Sequence, residues 1–117
     1  MKFYYGDKLI RTSKNHVYTH AVLSPEGKTF TCSSSREGAE KTLRSKISWW
    51  REGAQNLQNA IKAIKAGRTT YTVKEGRNTY TARVTGTLEC YQKQIQVIEG
   101  IIAGYRSYQI VELEARP

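Results

Sequence analysis

The sequence predicts an α+β protein in which a small antiparallel β-meander and a β-hairpin pack with two long amphipathic helices. Three observations support this prediction. The first third of the chain alternates short β-branched and aromatic segments with turn residues. The middle then changes to an apolar residue every three or four positions. A further hairpin pattern comes next, and after it a second segment with the same apolar spacing. The length of 117 residues, without a linker or a low-complexity segment, suits a single domain over residues 1–117.

Three segments in the first third have the composition of β-strands. They read "KFYYGDKLI", "VYTHAVL" and "KTFTCSS". Pro25 and Gly27 provide a turn signal between the second and the third segment. We therefore expect Val17–Leu23 and Lys28–Ser33 to pair as a hairpin.

A long helix is predicted next, from a capping box at Ser34 and Glu37 to a C-terminal glycine at Gly67. Its apolar residues are spaced by four and three positions in alternation, as in a heptad seam. They are Leu43, Ile47, Trp50, Ala54, Leu57, Ile61 and Ile64. A helix of about 30 residues is about 45 Å long, so it needs a partner along its seam.

A second hairpin and a second helix complete the pattern. The segment "RTTYTVKEGRNTYTARV" has its turn at residues 75–78, and "TLECYQKQIQVIEGIIAGY" carries a second apolar seam. The last segment, "YRSYQIVELEA", is predicted to be a strand, with a continued helix as the alternative. The two seams could cover each other in a monomer. However, Trp49, Val97 and Ile101 lie outside the seams, which favours a homo-oligomer.

His16 and His20 are the residues that first suggest a metal site or a catalytic pair. On a strand they would lie about 13 Å apart at 3.3 Å per residue, too far to share one zinc ion. The sequence has no metal motif, no phosphate loop and no paired catalytic carboxylates. We therefore expect neither an enzyme nor a metal or cofactor.

The chain carries a net charge of +9, which is concentrated in residues 1–84. An excess of this size favours an anionic partner, with solubilising charge as the alternative. No apolar run is long enough to cross a membrane. The segment "MKFYYGDKLI" lacks a signal-peptide pattern, so a cytoplasmic location is expected.

Basic, hydroxyl and aromatic side chains are interleaved in two places, which favours binding of phosphate and a base. Arginine side chains are the expected phosphate donors, tyrosines the stacking groups, and two hydroxyls the further partners. The alternative is a solvated strand face. The candidate ligand-binding residues are Arg11, Thr12, Ser13, Tyr18, Tyr71, Arg77, Tyr80, Arg83 and Arg106.

The stretch "RTSKNHVYTHAVL", followed by "EGAEKTL" and a long helix that carries tryptophan, resembles the Thoeris anti-defence Tad1 family of phage proteins. The resemblance covers the first half of the chain. It implies a small sheet with long helices, assembly into oligomers, and sequestration of cyclic nucleotide signals such as glycocyclic ADP-ribose without degradation. The alternative function is a basic protein that binds nucleic acid or inhibits a bacterial defence nuclease.

Overall fold

A computed structural model describes residues 1–117 and confirms the α+β class, with two helices and three small antiparallel sheets. In chain order the elements are β1 (Lys2–Tyr5), β2 (Lys8–Thr12), β3 (His20–Leu23), β4 (Thr29–Ser33), α1 (Arg36–Lys65), β5 (Thr70–Glu75), β6 (Asn78–Arg83), α2 (Leu88–Arg106), β7 (Gln109–Glu112) and β8 (Glu114–Arg116). Neither helix could span a membrane.

The chain divides into two compact units, which are described separately below. The first unit comprises residues 1–46 and 104–117, and the second unit comprises residues 47–103. The two boundaries between the units fall within α1 and α2, not in loops. The single domain expected from the length stays a prediction.

The first unit contains two three-stranded sheets, ordered β2-β1-β8 and β4-β3-β7. The predicted hairpin of β3 and β4 and the predicted carboxyl-terminal strand are both present. β3 is the central strand of its sheet, and its Ala21, Val22 and Leu23 are buried. Ala21 and Leu23 form a core cluster with Val111 of β7. Consequently, the last residues of the chain complete a sheet that the first third begins.

The predicted strand Val17–Leu23 was wrong at its start, because β3 begins only at His20. Upstream, the backbone N–H of His16 donates to the hydroxyl of Ser13 at 3.0 Å, which closes a turn. Ladder bonding starts at Thr19, whose N–H donates to the carbonyl of Ser33 at 2.9 Å. His16 therefore lies outside the strand.

The predicted long helix is confirmed as the 30-residue α1, with a shifted amino-terminal cap. The hydroxyl of Ser35 accepts the N–H of Gly38 at 2.9 Å, so Ser35 is the N-cap in place of the predicted pair of Ser34 and Glu37. At the other end, Gly67 has a φ of +70° and ends the helix as predicted.

In the second unit, the carboxyl-terminal part of α1 packs on α2 through the predicted seams. Ala60 and Ile61 form a buried cluster with Tyr91 and Ile95 of α2. Towards the start of α1, a Cβ atom at Gly53 would lie 3.9 Å from Ile98, further along α2, so the two helices run antiparallel. The seams therefore cover each other within one chain, while Trp49 and Val97 remain about two-thirds exposed, at 64% and 63%. Ile101 is half-buried, and assembly into an oligomer stays a prediction.

Candidate anion-binding site

A polar stripe on α1 holds the free edge of the β5–β6 hairpin. The side-chain amide of Asn56 donates to the carbonyl of Lys74 at 2.9 Å and accepts the Lys74 N–H at 2.9 Å. One turn further along the helix, Asn59 donates to the carbonyl of Thr72 at 3.0 Å. Nearer the turn of the hairpin, Glu52 accepts the N–H of Gly76 at 2.7 Å. These bonds take the place of a neighbouring strand and fix the hairpin against the helix.

The register of the hairpin separates its tyrosines from its arginine and threonines. Cross-strand partners share a face, and successive residues of a strand point to opposite faces. Val73 and Tyr80 are partners on the inner face, where Val73 is buried. The other face is entirely exposed and consists of Thr70, Thr72, Lys74, Thr79, Thr81 and Arg83. Residues that alternate in the sequence therefore lie on two different faces of the hairpin, one of mixed composition and one polar and basic.

A concavity of about 290 Å³ lies where the end of α1 meets this polar face. Its lining provides cations, hydroxyls, an amide and one aromatic ring, and contains no carboxylate. The lining residues are Asn59, Lys62, Arg68, Thr70, Tyr71, Thr72 and Thr81. Groups of this kind position phosphate oxygens by charge-assisted and hydroxyl hydrogen bonds.

The end of α1 explains why two cations lie close together here. Lys62 belongs to the last turn of the helix. The left-handed Gly67 then reverses the chain, and the N–H of Arg68 returns to the carbonyl of Ala63 at 2.8 Å. The carboxyl end of a helix disfavours an anion by about 0.3–1 kcal/mol. Lys62 and Arg68 must outweigh that effect for an anion to bind.

Tyr71 belongs both to the concavity and to the core. Its ring lies 6.3 Å from that of Tyr91, at an interplanar angle of 71°. Burial, with a further contribution from Tyr91, raises the pKa of Tyr71 above its usual value. At neutral pH, Tyr71 is therefore a neutral phenol that cannot serve as a base.

The phenol of Tyr91 forms hydrogen bonds with the backbone of the segment between β6 and α2. Its oxygen accepts the N–H groups of Thr85 and Gly86 at 3.1 and 3.2 Å. Burial alone would raise the pKa of Tyr91, but these hydrogen bonds together lower the pKa below its usual value. The inner wall behind Tyr71 is thus held in place by backbone groups.

The other predicted site residues of the second unit do not line the concavity. Arg77 is in the hairpin turn, and Arg83 is the cross-strand partner of Thr70 on the polar face. The hydroxyl of Tyr80 donates to a carboxylate oxygen of Glu75 at 2.8 Å. This hydrogen bond raises the pKa of Tyr80. Among the predicted ligand-binding residues, only Tyr71 lines the concavity.

The remaining predicted site residues belong to the first unit. The guanidinium of Arg11 lies 5.3 Å from the centre of the Tyr18 ring, so these two residues are brought together. Thr12 ends β2, and the Ser13 hydroxyl is occupied by the His16 N–H. Arg106 is the exposed last residue of α2. The candidate residues are therefore divided between the two units.

Sequence reasoning missed Lys62 and Asn59 and did not select Arg68 as a ligand-binding residue. A signal for this region was present in the sequence. Glu52, Asn56 and Asn59 are spaced by four and three positions, which places a polar stripe beside the apolar seam of α1. No family model, no curated protein and no solved structure matches this chain. Function therefore has to be inferred from the residues of the concavity.

Proposed function

We propose that this is a phage anti-defence protein that binds and sequesters a cyclic nucleotide immune signal, such as glycocyclic ADP-ribose, without degrading it. The observation that carries the proposal is the 290 Å³ concavity with Lys62, Arg68 and three threonine hydroxyls. The resemblance of the amino-terminal half to Thoeris anti-defence proteins supports the ligand class.

The cations and the aromatic ring of the concavity set the scale of the binding free energy. Each hydrogen bond to a charged group contributes roughly 1.5–3 kcal/mol, and Lys62 and Arg68 supply two such donors. Stacking of a base on an aromatic side chain adds about 1–3 kcal/mol. Tyr71 is the aromatic residue of this concavity. These terms sum to about 4–9 kcal/mol before the cost of association, whereas micromolar affinity requires about 8 kcal/mol after it, so hydrogen bonds from the threonine hydroxyls must contribute as well.

The lining also supports binding without turnover. It contains no histidine, cysteine or carboxylate that could act as a general base or a nucleophile. Its one titratable aromatic group, Tyr71, has a raised pKa and stays protonated. A bound phosphodiester would therefore be held by donors alone.

Calorimetric titration with a panel of cyclic nucleotides tests this proposal. We expect saturable binding to at least one of them, together with recovery of the intact ligand after heat denaturation of the complex. Recovery of a cleaved nucleotide would show an enzyme. Absence of heat from every nucleotide in the panel would overturn sequestration.

A matched pair of variants locates the phosphate. Arg68→Ala should weaken binding by about tenfold or more, because it removes a charge-assisted donor. Arg77→Ala removes the same charge from the same hairpin, but Arg77 lies in the turn and does not line the concavity. We expect less than about a twofold effect from Arg77→Ala. The reverse ranking would place the ligand at the hairpin turn.

A second candidate function is binding of nucleic acid, or inhibition of a nuclease that handles it. The exposed polar face of the hairpin favours this candidate, because threonine hydroxyls with Lys74 and Arg83 could contact successive phosphates. Release of several counterions would then make affinity fall steeply with salt. A mobility-shift titration at two salt concentrations separates the candidates. Tight, salt-sensitive binding to duplex DNA or RNA would favour the second.

A further inference from the structure

A second concavity, of about 500 Å³, lies in the same unit beside the tryptophan pair. It is formed by residues 49–56 in the middle of α1, by the hairpin turn and by α2. Its walls include Trp49, Trp50, Glu52, Gly53, Glu75 and Ile98. This volume is within the range of small-molecule sites, about 300–1,000 Å³. We name it the tryptophan pocket.

The two tryptophans give the pocket its aromatic surface. Their ring centres lie 5.0 Å apart, and the rings are nearly perpendicular at 89°. A flat ligand that stacks on one of them therefore meets the other at a right angle. Trp49 is 64% exposed, and the indole nitrogen of Trp50 is buried without a hydrogen-bond partner. The accessible donor of the pocket is Lys74, which also lines it and favours an occupant with a hydrogen-bond acceptor.

Two carboxylates line the pocket, and each accepts a hydrogen bond through one of its two oxygens. Glu52 accepts the N–H of Gly76, and Glu75 accepts the hydroxyl of Tyr80. A carboxylate has two acceptor oxygens, so each of these residues has a further oxygen for a ligand. The carboxylates favour N–H donors and disfavour a phosphate. The tryptophan pocket is thus chemically opposite to the anion site at Lys62.

We propose that the tryptophan pocket is a second ligand site that binds a nucleobase with an exocyclic amino group: adenine, guanine or cytosine. The base stacks on an indole ring, its amino group donates to Glu52 or Glu75, and a ring nitrogen or carbonyl accepts from Lys74. Along α1, Trp49 and Lys62 are separated by about 20 Å at 1.5 Å per residue. The two concavities have no lining residue in common, so this site does not depend on the proposed phosphate site.

The same observations discriminate against two other occupants. An alkylammonium ion would suit indole rings and carboxylates. However, Lys74 also lines the pocket and repels a second cation. Uracil and thymine offer acceptors but only one donor, the ring N3–H, whereas an exocyclic amine offers two N–H groups to the carboxylates. An amino-bearing base meets both requirements.

Intrinsic fluorescence tests the proposal directly, because the only two tryptophans of the chain both line this pocket. The wild-type protein is titrated with adenosine, cytidine, uridine and choline, none of which carries a phosphate. We expect saturable quenching by adenosine and cytidine, and binding of uridine weaker by about tenfold, the factor for one hydrogen bond to a charged group. Equal affinity for uridine, quenching by choline, or no quenching by any nucleoside would overturn the proposal.

A pair of glycine substitutions supplies the structural control. A Cβ atom at Gly53 would lie 3.9 Å from the terminal carbon of Ile98, an ordinary contact at the pocket wall. Gly53→Leu should therefore fill the pocket and weaken adenosine binding by about tenfold or more. Gly100 is also on a helix of the second unit, and a Cβ atom there meets nothing within 4 Å. Gly100→Leu should leave the adenosine titration unchanged, and an equal loss in both variants would overturn the assignment.

One further reading assigns the same surface to a second copy of the chain. In that case, tryptophan emission of the free protein would change with protein concentration, and adenosine would compete with self-association. We expect emission that does not change between about 0.1 and 100 µM, a range that covers weak and tight association. A concentration-dependent shift would overturn the nucleobase assignment. Because the probes lack phosphate, failure here leaves the proposed function untouched, and failure of the cyclic nucleotide titration leaves this site untouched.

Discussion

The two units use their basic side chains differently. In the first unit, Arg116 lies over the Tyr4 ring at 4.3 Å and pairs with Glu114 at 3.0 Å, while Arg11 lies over Tyr18. Both ion pairs of the structure are in this unit. In the second unit, Lys62 and Arg68 line a concavity that has no carboxylate. The net charge of the sequence therefore does not reveal which cations are available to a ligand.

The units also differ in what provides hydrogen-bond partners for the backbone groups at the edges of their strands. In the first unit, central strands such as β1 and β3 have a strand on each side. In the second unit, β5 has a strand on one side and the side chains of Asn56 and Asn59 on the other. We therefore expect the hairpin to depend on individual side chains, whereas the sheets of the first unit depend on apolar burial.

The largest expected effect comes from truncating one core residue in each unit. Phe3 is fully buried and Ile61 is 6% exposed. Phe3→Ala should lower the free energy of unfolding by about 3–5 kcal/mol, and Ile61→Ala by about 2–5 kcal/mol. Hydrogen exchange followed by mass spectrometry should show loss of protection in the first unit for Phe3→Ala and in the second for Ile61→Ala. Equal loss in both units from either variant would mean that the units unfold together.

A smaller effect is expected from removing the amide that replaces a strand. Asn56→Ala deletes two hydrogen bonds to the backbone of Lys74. At about 0.5–1.5 kcal/mol each, the loss should be about 1–3 kcal/mol in urea unfolding, with faster exchange confined to β5. Gln58→Ala changes an exposed residue of the same helix and should stay within about 0.5 kcal/mol of the wild type. Similar losses in both variants would mean that the strand edge is not responsible, since alanine is the better helix former at both positions.

The sequence predicted the features that depend on local signals, but not those that depend on contacts between distant residues. Apolar periodicity indicated both helices, and turn residues such as Gly67 and Gly76 indicated where elements end, because these signals are local. The capping box was misplaced by one residue, since Ser33, Ser34 and Ser35 are chemically equivalent in sequence. The start of β3 depends on bonds to Ser33 and Leu113, which are distant in sequence.

The candidate site was harder to predict for the same reason. Tyr71 and Tyr80 read as free stacking groups in the sequence, but the register turns them to the inner face of the hairpin. Tyr71 packs on Tyr91, and Tyr80 bonds Glu75. Lys62 joins Arg68 only because the chain reverses at Gly67. Composition favoured an anionic partner, which stays a prediction, whereas the choice among nineteen basic residues required the fold.

Two glycines of the second unit should respond in opposite directions. Gly53→Ala should stabilise by about 0.5–1 kcal/mol, because alanine is the better helix former and its Cβ meets only an ordinary contact. Gly67→Ala should destabilise by about 1 kcal/mol or more, because φ at Gly67 is +70°. Urea midpoints measured side by side give the sign of each change. Stabilisation by both substitutions would show that the turn after α1 can adopt another conformation.

The smallest expected effect is an acid dependence confined to the first unit. The hydrogen bond from Arg116, followed by its charge, lowers the pKa of Glu114. Bonds to its own backbone N–H and to Ser24 lower the pKa of Glu26, with a further contribution from Lys28. A carboxyl group with a lowered folded pKa contributes stability that is complete above its usual value of 4.5. That contribution is lost as the pH falls through the lower, folded value.

The hairpin of the second unit provides the internal reference in the same experiment. Hydrogen exchange measured as the pH falls from about 5 to about 3 should show protection falling first in β8 and in the turn before β4. Replacing both residues, Glu26→Gln with Glu114→Gln, should remove the extra acid sensitivity of the first unit and leave the hairpin unchanged. Because both carboxylates are fully exposed, salt should weaken the effect in the wild type. Earlier loss of protection in β5 and β6 than in the first unit would contradict this assignment of the acid-sensitive charges.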